Sequence, residues 1–481
     1  WTCSGEPSVC TINPVCGNGI IESGEQCETN PLNLNSQTCV SLGFTSGILG
    51  CSAGCQFDTS ACVSPPVTNA RYVTQAGAGS RNGIDWNNAY QGLPAALQRG
   101  YTYYVAGSTT SYGSYDFNDA VSGTQYITIK KATISNSGSV AGWQVSYGTN
   151  VAIFSSLSFS SSYYIFDGVT GGGPGSWDTG FGFEINPSGG SRGALFSGNP
   201  NYIEIRHSNI HPTSMSVFAG LFYGGGSHSK FSYNYIHDVY GPAFHFYGTS
   251  FNWNNLTIEY NYIARVKGDA VNHAEGISDS GSDNVIVRYN LWEDISNTGV
   301  IAEIGNFNAV AQNWEVYGNV ITAVTGSYSS SGVITIENDA SNSMSAENWV
   351  VYNNNIINFK GWASLKFASG SNNRAYNNIW YCNDAPSYSN YLQLNINTHD
   401  YNYYSDCGVV WFSPSANEPQ SQGADGLHGD PFVDWRNKDF RLNAALTGWS
   451  GTPLPPPYDK DMLNRTRGSD GVWDRGALEY P

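Results

Sequence analysis

An asparagine returns at positions 209, 234, 261, 290, 319, 354 and 378, in steps of 25, 27, 29, 29, 35 and 24 residues. The surroundings repeat with it. Tyr-Asn-Tyr-Ile stands at 233–236 and again at 260–263. Looser copies follow as Tyr289-Asn290-Leu291-Trp292, Gly318-Asn319-Val320-Ile321, Asn353-Asn354-Asn355-Ile356 and Asn377-Asn378-Ile379-Trp380, and Ser208-Asn209-Ile210 opens the series. A short alternating strand precedes most copies, at 203–205, 256–259, 285–288, 314–316 and 349–351. Repeats of this length cannot bury an apolar face alone, so neighbours must stack. Paired helices are excluded, because Gly and Asn are too frequent and no window keeps a long 3.6-residue period. Each repeat therefore reads as a coil of strands and turns, stacked about 4.8 Å from the next. Asn209, Asn234, Asn261, Asn290, Asn319, Asn354 and Asn378 would then line one corner as a structural ladder. Each amide would bond the next coil and the backbone of the turn.

Composition places such a solenoid outside the cell. The net charge is −17, yet only 12% of the residues are charged, so Ser, Thr, Asn, Gly and 32 Tyr must cover the surface. That surface suits sugar contact and disfavours nucleic acid or anionic lipid, which need a basic face. No apolar run is long enough for a transmembrane segment. The first residue, Trp1, reads as the start of a mature chain whose signal peptide is gone. Eight of ten cysteines, Cys3, Cys10, Cys16, Cys27, Cys39, Cys51, Cys55 and Cys62, fall in the first 62 residues, with Cys382 and Cys407 far downstream. Even numbers at this density read as disulfides of an oxidising compartment, hence a secreted or cell-surface protein. Residues 1–64 are expected to be a small domain stapled by cysteines, 65–70 a Pro-containing linker, and 71–481 the solenoid. A short helix is predicted over 85–98, with Asp85 as its N-cap and Pro94 as a break.

Two resemblances sharpen this. The run Cys16-Gly17-Asn18-Gly19-Ile20-Ile21-Glu22-Ser23-Gly24-Glu25-Gln26-Cys27-Glu28 resembles the Cys-rich repeat of bacterial surface proteins. It departs where that family continues with Asp-Asp-Gly-Asn, which puts the cation site of that loop in doubt. From 71 onward the repeat resembles the pectin-lyase-like, right-handed parallel β-helix superfamily. Asp430-Pro431-Phe432-Val433-Asp434, Asp439-Phe440-Arg441-Leu442 and Asp474-Arg475-Gly476-Ala477-Leu478-Glu479-Tyr480 look like the closing coil of secreted bacterial members. The resemblance implies an all-β parallel β-helix with an N-terminal helical cap. It implies no single activity, since lyases, hydrolases, adhesins and phage spikes share the fold.

Two constellations could carry chemistry. Arg265, Lys267, His273 and Glu275 lie in the most polar loop, where a lyase would need a base and a group that neutralises a uronate carboxylate. Asp279, Asp283 and Asn284 in the same loop offer oxygen ligands around Gly281 for calcium, the one cofactor the sequence suggests. The alternative is a loop tied to its own backbone by short polar side chains. His245, Glu275, Glu303, Glu337 and Lys366 fall in successive apolar strands and would make a line of charge if in register. A one-residue slip would turn any of them to the other face. Clustered tyrosines, such as Tyr163 with Tyr164, and Tyr403 with Tyr404, could stack on sugars or anchor an interface.

The leading expectation is a secreted structural protein that assembles head-to-tail with copies of itself into a fibre, sheath or matrix, in contact with polysaccharide. A polysaccharide lyase, less readily a glycoside hydrolase, is the alternative. A non-catalytic carbohydrate-binding adhesin is the third reading.

Overall fold

A computed structural model describes residues 2–480 apart from 5–8, 12–14, 23–24, 43–45, 64–68, 189, 217, 219, 269–273, 297–298, 306, 325–331, 339–342, 359–364, 383–390, 393, 408, 411, 419–428, 445 and 447. From Ala70 on, the chain winds through three long parallel sheets in a fixed cycle. Ile127–Lys131 lies in sheet 1, Ala152–Phe154 in sheet 2 and Ser156–Phe159 in sheet 3, and Tyr164–Asp167 returns to sheet 1. Each strand pairs in parallel with the strand one coil earlier. Among the described residues sheet 1 has sixteen strands and sheets 2 and 3 have ten each. The fold is a parallel β-helix.

Period-2 alternation fills its interior. On sheet 1, Ile129, Phe166, Ile205, Phe231, Ile258, Val287, Val316 and Val351 form one buried column, each in register with the next. On sheet 3, Phe117, Phe159 and Phe196 stack at 4.6 and 5.6 Å. Burial of each such side chain is worth roughly 1.5–3 kcal/mol.

Between sheets 1 and 2 runs the amide ladder. The Asn261 backbone N–H and Nδ2 donate to Asn290 Oδ1 at 2.9 and 3.0 Å, and Asn290 repeats both bonds to Asn319 Oδ1 at 3.0 Å. Asn234, Asn319, Asn354 and Asn378 do the same. Asn209 is not in this ladder. It sits in register with Tyr235, facing outward, while Ser208 takes the ladder position and its N–H meets Asn234 Oδ1 at 3.1 Å. His207 occupies the left-handed corner there (φ 55°), so the strand begins at Ser208 and a one-residue offset turns Asn209 over. Asn402 extends the ladder at the far end, where its Nδ2 donates to the buried Glu418 Oε1 at 2.7 Å.

The ends differ from expectation. Of the predicted helix over 85–98 only the turn Trp86–Asn88 forms, with Asp85 accepting from the Asn88 N–H at 2.8 Å. The chain then runs as Tyr90–Gln91 beside Val73 and Thr74, and left-handed Gly92 (φ 67°) precludes a longer helix. Trp86 packs under Tyr72, Trp143 and Tyr147, and the short helices Ile134–Ser137 and Val145–Thr149 complete the cap. At the other end, residues 430–480 add no closing coil. Phe432–Asp434 and Asp439–Leu442 pair antiparallel with each other alone. Phe432, Phe440, Leu442, Met462 and Leu478 instead bury against Leu291, Val320, Ile357 and Ile379 on the outside of sheet 2. This segment is a strap along the flank.

Cys16–Cys55, Cys27–Cys51 and Cys39–Cys62 cross-link the stretch from Cys16 to Cys62, and Cys382–Cys407 ties the late coils. Cys3 and Cys10 oppose each other across Thr2–Ser4 and Val9–Thr11, but their side chains lie outside the described residues, as do residues 65–68 of the linker. The buried Glu28 carboxylate accepts the Gly17 and Gly19 N–H groups at 2.7 and 3.0 Å.

Candidate functional site

Between the cap and the strap, the outer face of sheet 2 carries the loop with Trp177 and Phe181 over Tyr262 and Tyr235, and it opens at Glu184 and Asn209. There Ile185, Ile210, Ile236 and Ile263 point inward, so the residues beside them point out. Glu184, Asn209, Tyr235 and Tyr262 share one outward row in strict register. His211 and His237 follow in the next row, their rings stacked at 4.8 Å. A groove of about 460 Å³ opens beside them, lined by Thr149 and Asn150 from the cap, Asp178 and Phe181 from the preceding loop, and Glu184 and Asn209 from the sheet.

Among the described residues, Lys131, Lys438 and Arg265 around the groove each have a partner. Lys131 is buried and donates to the Ala132 and Tyr147 carbonyls at 2.7 and 2.6 Å; burial brings its pKa down to about 8. Lys438, from the strap, pairs with Asp178 at 2.6 Å and lies over the Tyr262 ring at 4.5 Å. Arg265 grips Asp238 with two bonds of 2.6 and 2.9 Å and donates to Tyr235 Oη at 3.0 Å. That guanidinium holds the Asp238 carboxyl down at about 2. Glu184 lies 3.5 Å from His211 Nε2 and accepts Asn186 Nδ2 at 3.0 Å. The His211 contact lowers the Glu184 pKa, and the same contact raises that of His211. Burial drives His237 down to about 4, so its neutral ring faces Asp238 at 2.6 Å with Nδ1 and meets the Asn209 carboxamide at 2.9 Å with Nε2. Tyr262 donates to Glu293 at 2.8 Å, and burial raises the pKa of that carboxyl.

Of the residues singled out for a lyase, the three that are described lie in different surroundings. Arg265 is at this site, but its charge is spent on Asp238. Lys267 is exposed at the end of Tyr262–Lys267. Glu275 is buried, and His273 lies outside the described residues. The three calcium candidates go to three places. Asp279 points inside the coil and accepts the Gly281 and Ser282 N–H groups at 2.9 and 2.7 Å. Asp283 accepts the Gln312 N–H at 3.0 Å. Asn284 bonds Asn254 and Asn313 on the surface. Asp279 is thus tied to its own turn, while Asp283 and Asn284 are tied to neighbouring coils.

The proposed line of charge is also broken by register. His245 and Lys366 share a row on sheet 3, but Ser278, Ala302 and Thr335 stand between them. Glu303 is one residue off and faces inward, above Asp279. The residues that do converge, His211 and His237, were visible as a repeated Ile-His after the ladder position, at Ile210-His211 and Ile236-His237. At one coil's spacing that repeat stacks the two rings.

No family model and no curated protein matches the sequence. Solved structures with a similar course include pectate lyase Pel9A, at 13% identity over 86% of this chain and 96% of that one, with a TM-score of 0.43. The GH136 lacto-N-biosidase from Eubacterium ramulus is similar at 11% identity over 73% and 62%, TM-score 0.38. The tailspike of E. coli bacteriophage HK620, solved with a pentasaccharide, is similar at 12% identity over 69% and 59%, TM-score 0.31. Likeness at this level assigns no activity to this chain.

Proposed function

We propose that the protein is an extracellular β-helix scaffold whose flank binds neutral oligosaccharide without turning it over. The observation that carries this is the groove on sheet 2. It offers amides, hydroxyls, the carboxylate of Glu184 and the ring of Phe181, and it offers no free cation. Sugar hydroxyls are recognised by such planar acceptors and donors together with an aromatic face. A uronate would meet Asp178 and Glu184 instead of a neutralising charge, which disfavours lyase chemistry. Hydrolysis needs one carboxyl kept protonated as the acid. In the groove Glu184 is held ionised by His211 and Asp178 is engaged by Lys438, so neither is available as that acid. Disulfides suit a secreted setting, and no helix among the described residues is long and apolar enough to cross a membrane.

The test is calorimetry against neutral gluco-, xylo- and manno-oligosaccharides, with oligouronates alongside. Neutral sugars should bind, and Asn209→Ala and Glu184→Gln should each weaken binding about tenfold, near 1.4 kcal/mol. Absence of neutral binding, or appearance of unsaturated uronate absorbance, would overturn the proposal.

A further inference from the structure

The corner between sheets 3 and 1 carries a second row that nothing in the groove uses. Register places Tyr126, Tyr163, Tyr202 and His228 one above another, and then an asparagine on each of the next five coils, from Asn255 to Asn372. Tyr163, Tyr202, His228 and all five asparagines have φ between 50° and 66°. Asparagine tolerates this left-handed backbone, whereas a bulky side chain adopts it at a cost of about 1 kcal/mol or more. The amides link along the row, as Asn313 Nδ2 to Asn284 Oδ1 at 3.1 Å and Asn372 Nδ2 to Asn348 Oδ1 at 2.7 Å. Tyr163 stacks on Tyr202 at 4.7 Å and Tyr202 on His228 at 4.9 Å.

The corner between sheets 1 and 2 uses the same costly residues for a visible purpose. His207 receives the loop at Gly171, with Nδ1 2.7 Å from that carbonyl, and Tyr289 Oη reaches the strap carbonyl of Lys460 at 3.3 Å. At the corner between sheets 3 and 1, the rings of Tyr163, Tyr202 and His228 have only one another and Tyr126 as ring partners among the described residues. The rings pack on one another, and His228 also meets Ser227 Oγ and Asn255 Nδ2, so the row presents one continuous aromatic and amide edge at the surface.

We infer that this row is a docking ridge for one extended, neutral polysaccharide chain lying along the solenoid axis. Nine positions at the strand spacing make a straight edge of ~38 Å. Its pitch is close to the length of one sugar unit in an extended chain, so hydroxyls, an imidazole and amides recur in step with sugar hydroxyls. The ion pairs flanking it balance, Arg206, Lys230 and Arg288 against Asp167, Glu204 and Glu259, which leaves little local field to select an ionic polymer. The ridge is separate from the groove on sheet 2, and the two readings can fail independently.

The decisive variant is the triple substitution Tyr163→Asn, Tyr202→Asn, His228→Asn, which continues the amide row with residues suited to the backbone. Pull-down is measured on insoluble cellulose, xylan, mannan, chitin and β-1,3-glucan, with Asn209→Ala as the groove control. The parent should sediment with at least one of them. The triple variant should keep its melting temperature within a few degrees and, compared in the Asn209→Ala background that weakens the groove, lose that retention at least tenfold. Equal retention with and without the triple substitution in that background, or no retention of the parent on any of the five, overturns the ridge. Soluble-oligosaccharide calorimetry then still decides the groove on its own.

Discussion

Asp279 and Glu303 stand one above the other inside the coil, both fully buried. Asp279 is saturated by Gly281, Ser282 N–H and the Ser282 hydroxyl. Glu303 accepts only the Gly281 N–H, at 3.0 Å, and its other oxygen has no donor. Burial and the adjacent Asp279 charge push the Glu303 pKa well up, so a proton held between the two carboxyls keeps one of them neutral. A folded-state pKa above the unfolded one stabilises fully at low pH and progressively less as pH rises toward the folded value. Glu303→Gln supplies the donor without the proton. It should therefore exceed the parent in stability at pH 8 by about 1–3 kcal/mol, the range for one unsatisfied buried group, and match it near pH 4. Thermal unfolding at both pH values measures this; an advantage larger at pH 4 would contradict it. The sequence showed that Glu303 sits in an apolar strand, but not which face it took. Alternation fixes faces only relative to a known neighbour, and the irregular loops between sheets 2 and 3 hide the phase.

The two asparagine rows show how differently one residue type behaves in two elements. Inner-ladder asparagines are buried, and each supplies bonds that no water can replace. Asn290 takes two donors from Asn261 and gives Nδ2 to Ile258 O at 2.9 Å. Asn290→Ala should cost about 3 kcal/mol in denaturant unfolding, against less than about 1 for Asn313→Ala in the exposed row. Equal costs would mean the inner bonds are not the source of the corner's rigidity. The inner row was legible because its asparagines recur with a constant apolar context. The step at Ser208-Asn209-Ile210 was misread because asparagine and isoleucine recur there one residue out of phase. The groove was not legible at all. Its walls come from Lys131, Thr149, Asp178 and Asn209, which lie 78 residues apart at the extremes and meet only because successive coils stack.

For the whole molecule the strap is what separates a bindable flank from a covered one. Outward positions of sheet 2 change from Glu184, Asn209 and Tyr235 at one end to Leu291, Val320 and Ile379 at the other, and residues 430–480 lie on the apolar part. A chain ending at residue 429 should expose that face. We expect it to bind a hydrophobic dye in its native state and to self-associate, while the intact chain does neither through this face. A truncated chain that stays monomeric and dye-free would show that the strap is not a needed cover.

The buried Glu418 at the end of the inner ladder has a further consequence. A carboxamide both gives and takes, so a file of them has no intrinsic length. A carboxylate only takes, and it terminates the file after Asn402. The number of turns is thus written into one residue's chemistry: duplicating a turn in the middle leaves the rule intact, whereas appending one beyond the last requires that the acid be exchanged for its amide.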